Sequence, residues 1–431
     1  MDNSSTINAL DGAASKGTFL GLANFRLLGL LLPTCAAVYA GFQGIQQILI
    51  PVQVEAIDAA HKIENLALLT TITSVTAVLG LLAGGALSDR TTGRFGRRAP
   101  WLVLSALISA VLFIALGMAE SLVAIAVAYS ILWFTLNFFA AAFTAILPDR
   151  IPVAARGAAS AVLGLGTPLG IIVGVNYVAR VPRLEAYAGL AFFLVITTIA
   201  LVVFAREQPV AKGVAPAAAP SQGPWYATAW RHTATMFSGF RSRDFTLAFV
   251  SRAFMFLGAF TVTGYAFYIL QDHIGTANLP SKDPAIAVSV LGTLQVVAWL
   301  VSVPVAGWVA DKFDCRKIVV GVSSLGMAAA MAIPVFFPTW NGMVAFYVMV
   351  GTFFGAYMAV DLALMSLVLP DKSSEGRDMA VLAVATAGPQ FLSPAIAGII
   401  INYLGYDQLF YFGVAASVVG GLLVFLIRSV R

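Results

Sequence analysis

The sequence predicts an all-α integral membrane protein of twelve transmembrane helices in two six-helix bundles, and three observations carry that prediction. Of the 431 residues, 60% are hydrophobic and only 10% charged, against about 25% charged in soluble domains, and the mean hydropathy is +0.90. Stretches able to cross a hydrocarbon core of about 30 Å recur along the whole chain. The second half of the chain also repeats landmarks of the first at one fixed offset.

The spanning stretches lie near 27–50, 66–88, 100–118, 122–147, 157–179, 187–205, 245–270, 284–310, 317–337, 341–369, 379–403 and 408–427. They divide the chain into a tail over 1–26, a six-helix bundle over 27–205, a linker over 206–243 and a second bundle over 244–431. The linker opens with EQPVAKGVAPAAAPSQGP, a Pro-, Ala- and Gly-rich tether. It continues with WYATAWRHTATMFSGFRSR, whose mixed aromatic and basic residues suit a helix lying on a membrane surface. The tail lacks the charged-then-apolar layout of a cleavable signal, so the first span is expected to act as its own insertion signal.

Charge sets the orientation. Of the 25 basic residues, only Lys62, Arg180, Arg183 and Lys282 fall in loops on one side, and Arg252 falls inside a span. The rest occupy the termini, the linker and the alternate loops, which places both termini in the cytoplasm. The basic residues form no continuous stripe, so nucleic acid is not an expected partner. Cys35 and Cys315 lie far apart and read as free thiols, with no metal or disulfide framework. No nucleotide-binding loop or nucleophile–base motif stands out, which argues against an enzyme.

The repeat is specific. GALSDR ends the second span and GWVADK the eighth, and their acids, Asp89 and Asp311, are 222 residues apart. LPDR ends the fourth span and LPDK the tenth, with Asp149 and Asp371 again 222 apart. Gly166 and Gly388, each close to a proline, share that offset. Duplication of a six-helix unit in the same membrane orientation accounts for all three pairs.

These motifs resemble a known family. The Gly-x-x-x-Asp-Arg/Lys loops are similar to the signature of the major facilitator superfamily. The longer SDRTTGRFGRRAPW, with LPDRIPVAARG, ILQDHIG and YMAVDLALMSLVLPD, resembles the glycoside–pentoside–hexuronide:cation symporters and the sucrose-transporter-like branch. The resemblance covers nearly the whole chain. It implies secondary transport by alternating access, with spans 1, 4, 7 and 10 around a central cavity. One departure stands out: the Asp311–Arg316 loop is shorter than its first-half counterpart, so a simpler second gate is expected.

On this reading the gating residues are Gly85, Asp89, Arg90, Arg97, Arg98, Asp149 and Arg156, then Asp311, Lys312, Arg316, Asp371 and Arg377. Gly85 is expected to let a neighbouring helix approach closely, and Asp89 to accept bonds from a helix N-terminus. The arginines are expected to pair with acids such as Asp149 and those at 371, 375 and 378. Single surface pairs contribute little, but a network formed only in one state biases an equilibrium. The plainer reading is that the arginines only fix topology.

Two ionisable residues sit within spans, where charge is costly and usually functional. Asp361 lies nine residues before Pro370, about 13 Å from the span's end. Arg252 lies seven residues into the seventh span, about 10 Å deep. Neither repeats, since 222 residues earlier stand Leu30 and Phe139. Asp361 and Arg252 are therefore the candidates for proton coupling. The alternatives are that Arg252 snorkels to the interface and that Asp361 only caps a helix end.

Polar stripes add candidate substrate contacts. Tyr39, Gln43, Gln46 and Gln47 share one face of the first span, and Thr261, Tyr265 and Tyr268 repeat it in the seventh. Trp133 with Asn137, Gln295 with Trp299, and Tyr357 with Asp361 form further pairs at i, i+4. Amides and phenols can bind hydroxyls, and an indole can pack on a sugar ring. Hydrogen bonding between helices is the bland alternative.

The leading expectation is a monomeric, multi-pass cell-membrane transporter of a neutral sugar or glycoside, moved with a proton and needing no metal or other cofactor. The alternative is a proton-coupled efflux antiporter for an apolar or cationic compound, supported by the Gly-rich GLGTPLGIIVG of the fifth span. That segment is also simply suited to close packing. A third possibility, a non-transporting receptor or assembly factor, fits the buried Asp361 and the polar stripes less well.

Overall fold

The computed structural model describes residues 22–152, 156–207, 237–369 and 375–428, with side chains at 22–24, 158, 237–238, 375–377 and 380 left undescribed. These residues are helical throughout apart from short connections. Twelve helices are long and apolar enough to cross a membrane. In chain order they are α1 Phe25–Ile57, α2 Lys62–Arg90, α3 Ala99–Gly117, α4 Leu122–Arg150, α5 Ala159–Val178 and α6 Arg183–Phe204 in the first half. The second half holds α7 Arg243–Thr263, α8 Pro284–Phe313, α9 Arg316–Phe336, α10 Trp340–Leu367, α11 Val381–Leu404 and α12 Tyr406–Phe425. The expected interfacial helix falls mainly outside the described residues.

Local chemistry sets the ends. Ser121, Ser242, Asp283 and Thr339 each accept a backbone N–H at the start of α4, α7, α8 and α10, satisfying donors that a helix start leaves open. α8 also starts on Pro284 and ends on Asp314 at φ 46°, so only two residues separate it from α9. Two segments depart from plain α-helix. Ile45–Leu49 is a π turn inside α1, and Ile269–Gly275 is π-helical beyond α7, which breaks at Gly264 and Tyr265. Gln47 and Ile269 are 222 apart, so the irregularity itself follows the repeat. π turns of this kind are common at functional positions.

Packing divides the chain into two compact units, Met1–Gly44 with Val75–Pro216, and Ile45–Ser74 with Ala217–Arg431. The division thus falls inside α1 and α2 as well as in the linker. In the first unit α1 packs on α5 and α6, and α3 on α6. In the second, α7 packs on α11 and α12, α8 on α10, and α9 on α12. Three of the four pairs in the second list are those of the first advanced by six, which is the duplication seen in three dimensions.

Small residues make these contacts. A Cβ on Gly170 or Gly174 would stand 2.4 or 2.5 Å from the backbone oxygen of Ala36 or Ala40 on α1. The Gly-rich face of α5 is therefore a packing face. In α2 the close approach belongs to Gly80 and Gly84, whose Cβ atoms would meet the carbonyl oxygens of Phe134 and Phe138 on α4 at 2.2 and 2.4 Å. Gly85 has nothing within 4 Å, and neither does Gly307. The expectation for Gly85 is corrected accordingly: one residue's rotation turns it away from α4. In the α8–α10 pair, which corresponds to α2–α4, the small residues sit on the other helix, where Gly351 and Gly355 of α10 receive Gln295 and Trp299 of α8.

Gly84→Ala is expected to lower the thermal midpoint in detergent, at a cost of about 1–3 kcal/mol for overpacking against backbone. Gly85→Ala should leave it unchanged. Equal shifts would refute this assignment.

Candidate functional site

The central feature of the second unit is a buried ion pair. Arg252 on α7 faces Asp361 on α10, with Nη1 3.2 Å from Oδ2 and side chains 13% and 2% exposed. Arg252 Nε also donates to Thr386 Oγ1 on α11 at 2.9 Å. One guanidinium thus ties three helices, using the forked donor geometry that a lysine lacks. Phe256, one turn along α7, lies 5.7 Å beneath the guanidinium. Its ring meets Tyr357 edge-on at 5.9 Å and Phe354 at 6.1 Å, and Phe354 meets Trp299 at 5.7 Å. Four residues singled out by sequence, Arg252, Asp361, Tyr357 and Trp299, are therefore brought into one cluster. Gln295 lies one turn before Trp299 and is half-buried.

This cluster holds unspent hydrogen-bonding capacity. Asp361 Oδ1 and the Tyr357 hydroxyl are buried, and neither meets hydrogen-bond geometry with any described group. They lie close enough to influence each other electrostatically. Buried groups of this kind call for an explanation, such as a ligand or a transferable proton.

In the first unit, Trp133 packs edge-on against Phe42 at 5.2 Å and Tyr129 at 4.5 Å, and Phe42 meets Tyr39 at 6.1 Å. The predicted faces of α1 and α4 thus meet through Phe42 and Tyr129, which the sequence reading passed over. Asn137 Nδ2 donates back to the Trp133 carbonyl at 2.8 Å. Gln43 and Gln47 are already engaged, and Gln46 is half-buried in the π turn.

The predicted α7 stripe is spent on backbone. The Thr261 hydroxyl donates to Leu257 O at 2.6 Å, Tyr265 to Pro394 O at 3.0 Å and Tyr268 to Pro51 O at 2.9 Å, and all three residues are buried. Tyr265 and Tyr268 thus tie this stretch to α11 and α1, while Thr261 bonds within its own helix.

The α2–α3 loop is organised by one residue. Arg98 is 3% exposed. It reaches Asp89 at 2.5 Å, Asp149 at 2.9 Å and the Ser88 hydroxyl. Burial alone would lower its pKa, but the bonds to Asp149 and Asp89 outweigh it and hold the guanidinium above its usual value. The acid at a helix start is not Asp89, as expected, but Glu207, which accepts from the backbone N–H groups of Arg98 and Ala99 at 2.8 and 3.2 Å. Arg98 occupies Asp89 first, and the carboxylate from the end of α6 takes the vacant donors.

Other predicted gate residues behave differently. Arg90 is exposed, and Arg97 Nε is buried without a partner among the described residues. Arg156 donates to the carbonyls of Ile151 and Pro148, tying the start of α5 to the end of α4. Arg150 clamps the carbonyls of Ala205 and Arg206. In the second half, Arg316 pairs with Asp311 at 3.1 Å on an exposed surface, and Lys312 stacks over Trp308 at 4.5 Å. Among the described residues, the shorter loop shows one ion pair where the longer loop shows two. Asp371 and the Arg377 side chain lie outside the described residues.

A further polar knot was not foreseen. At the α1–α2 end, Lys62 bridges Glu55 at 3.0 Å and Asp272 at 2.8 Å and stacks 4.9 Å over Tyr268. Gln271 donates to Glu55 at 2.6 Å and Tyr406 to Asp272 at 2.7 Å. Sequence alone marks these residues only as loop charges and as part of ILQDHIG, because their meeting spans some 210 positions.

A duplicated all-helical membrane fold, with a paired charge inside one six-helix repeat and ion-paired loops at its ends, defines a multi-pass transporter rather than an enzyme. The chain belongs to the Major Facilitator Superfamily, whose family model matches residues 17–281 and 283–431. Solved structures agree on the fold. A POT family transporter in complex with a thioalcohol-conjugated peptide is 13% identical at a TM-score of 0.69, over 93% of this chain and 95% of that one. A bacterial homologue of the human lysosomal transporter Spinster, inward-facing and occupied, is 15% identical at 0.64, over 94% and 96%. The peptide transporter POT in complex with sulfate is 15% identical at 0.68, over 93% and 94%. No curated protein matches the chain in sequence.

Because Arg98 is buried against two acids, Arg98→Ala is expected to cost about 2 kcal/mol, as for hydrogen bonds to charged groups. Arg90→Ala should be silent. Thermal unfolding of the two variants in one detergent checks this, and an Arg90 effect as large as the Arg98 effect would overturn it.

Proposed function

We propose that this chain is a secondary active transporter that moves a neutral sugar or glycoside together with a proton by alternating access, with both termini in the cytoplasm. The observation that carries the reading is the Arg252–Asp361 pair beside two buried polar atoms without partners. A carboxylate in that setting has one oxygen held by a cation and one free to exchange a proton or meet a solute hydroxyl. Removing the proton strengthens the Arg252 bond and restoring it weakens that bond, so protonation changes how firmly α7, α10 and α11 are tied. Each unit offers candidate solute contacts by itself, Tyr39, Trp133 and Asn137 in the first and Gln295, Trp299 and Tyr357 in the second, aromatic surfaces with a few amides and a phenol that suit a polyhydroxylated ring. The symporter branch named by the sequence motifs fits that chemistry. The antiporter alternative rested on the glycines of α5, and the packing of Gly170 and Gly174 on α1 accounts for them.

Uptake of a labelled sugar panel into proteoliposomes, with and without an imposed pH gradient, tests the substrate class. Within that assay Asp361→Asn is expected to abolish accumulation driven by the pH gradient while sparing downhill exchange. Arg252→Ala should damage both, because stranding one partner of a buried pair costs about 3–5 kcal/mol. Concentrative uptake by Asp361→Asn on a pH gradient alone would remove Asp361 from the coupling role.

The Arg98 network is proposed as the cytoplasmic gate, weighting one conformational state without touching solute. Asp89→Asn is then expected to slow turnover several-fold while leaving solute affinity within about twofold, the pattern of a shifted conformational equilibrium. Weakened binding at unchanged turnover would contradict the gate.

A further inference from the structure

The second unit carries a groove of about 710 Å³ on its outer face, between α8, α9 and α10. Its walls include Val301 and Val305 of α8, Ile318 and Val322 of α9, and Val348 of α10, all exposed side chains. The hydroxyls in the groove bond inward: Ser302 donates to the Thr352 carbonyl and Thr352 to that of Val348. The groove therefore offers a ligand dispersion contacts along its length and little polar competition. Its α8 wall runs from Leu294 to Val309, about 22 Å at the helical rise, which exceeds the depth of one leaflet, about 15 Å.

One end is chemically distinct. Cys315 lines the groove where α8 turns into α9. The α8 lining positions 294, 298, 301, 305 and 309 continue at helical spacing to Lys312. Lys312 is exposed, lies over the Trp308 ring at 4.5 Å, and has no carboxylate partner among the described residues. Neighbouring cations are occupied, Arg316 by Asp311 and Lys317 by the Ile427 carbonyl. Trp308 and Phe313, both exposed, flank it as side chains of a membrane interface do.

We propose that this groove is a binding site for an anionic phospholipid, with an acyl chain along α8 and the phosphate-bearing headgroup on Lys312. An apolar trough longer than one leaflet, continued at helical spacing by a cation without a carboxylate partner among the described residues, matches that molecule in both shape and charge. The unpaired Lys312 is what selects a charged headgroup over a zwitterionic one.

Native mass spectrometry of the full-length protein in detergent, offered equal amounts of chain-matched phosphatidylglycerol and phosphatidylcholine, tests this. The wild type is expected to retain one phosphatidylglycerol with about fivefold preference, the worth of one basic residue beside an anionic headgroup. Lys312→Glu should bring that preference to parity, and Ala306→Trp, which fills the trough, should lower retention of both lipids. If Ala306→Trp does not fold, the comparison of Lys312→Glu with wild type decides alone. A wild type without preference, a preference that survives Lys312→Glu, or a dimer that Ala306→Trp disperses would overturn the proposal, the last by giving the groove to a second copy of the chain.

Discussion

A charge placed in hydrocarbon must be answered by another charge, and this constraint organises the second unit. Arg252 would be prohibitively costly alone at its depth, and so would Asp361. Together, at 3.2 Å, they make a stable arrangement. The third contact, to Thr386, prevents α11 from being a passive wall. Because the guanidinium draws on α10 and α11 at once, it holds three helices together at one point. Phe256, Tyr357, Phe354 and Trp299 then extend that influence as a run of ring contacts reaching α8.

The remainder of the scaffold is the duplicated part, and it is held differently. Helices in lipid gain little from hydrophobic association with one another, so contact depends on backbones coming close. The first unit achieves this with glycines on α2 and α5, the second with glycines on α10 and on the α7–α12 contact, so that the α2–α4 and α8–α10 pairs carry theirs on opposite partners. Duplication therefore preserved which helices pair while the small residues changed sides. The loops diverged in the same way. Eight residues between α2 and α3 fold around the buried Arg98, whereas the two-residue α8–α9 turn shows, among the described residues, an exposed Asp311–Arg316 pair. What stayed common is topology; what became unequal, among the described residues, is how many partners each loop's basic residues find.

This split explains how much was legible beforehand. Span number and the repeat follow from composition and a fixed offset, which are properties of a single sequence read along its length. Arg252 and Asp361 were legible because charge is rare in a span and because neither has a counterpart 222 residues earlier. Thr386 was not, since a threonine in a run such as AVATAGP carries no mark until a guanidinium is placed opposite it. Gly85 misled for a related reason. In GGALSDR the motif position is plain, but which of two adjacent glycines faces α4 depends on a rotation of about 100° per residue. The α7 stripe was legible in part: periodicity located one face of Thr261, Tyr265 and Tyr268 but not what their hydroxyls donate to, which is carbonyl groups.

The Lys62 knot shows where local irregularity and long-range chemistry coincide. Asp272 and Gln271 project from the π-helical segment beyond α7, and Glu55 lies one and a half turns past the π turn of α1. A π turn shifts the register of everything beyond it, so side chains after it point where a regular helix would not send them. The irregularity is what lets Asp272 take Lys62 with one oxygen and Tyr406 with the other. The gate residues at the α2–α3 end need no such device, because an irregular loop already supplies the freedom to aim Arg98. The two ends thus solve one problem by different means. A loop is redirected by its own turns, whereas a helix has to give up its regular hydrogen bonding to re-aim a carboxylate.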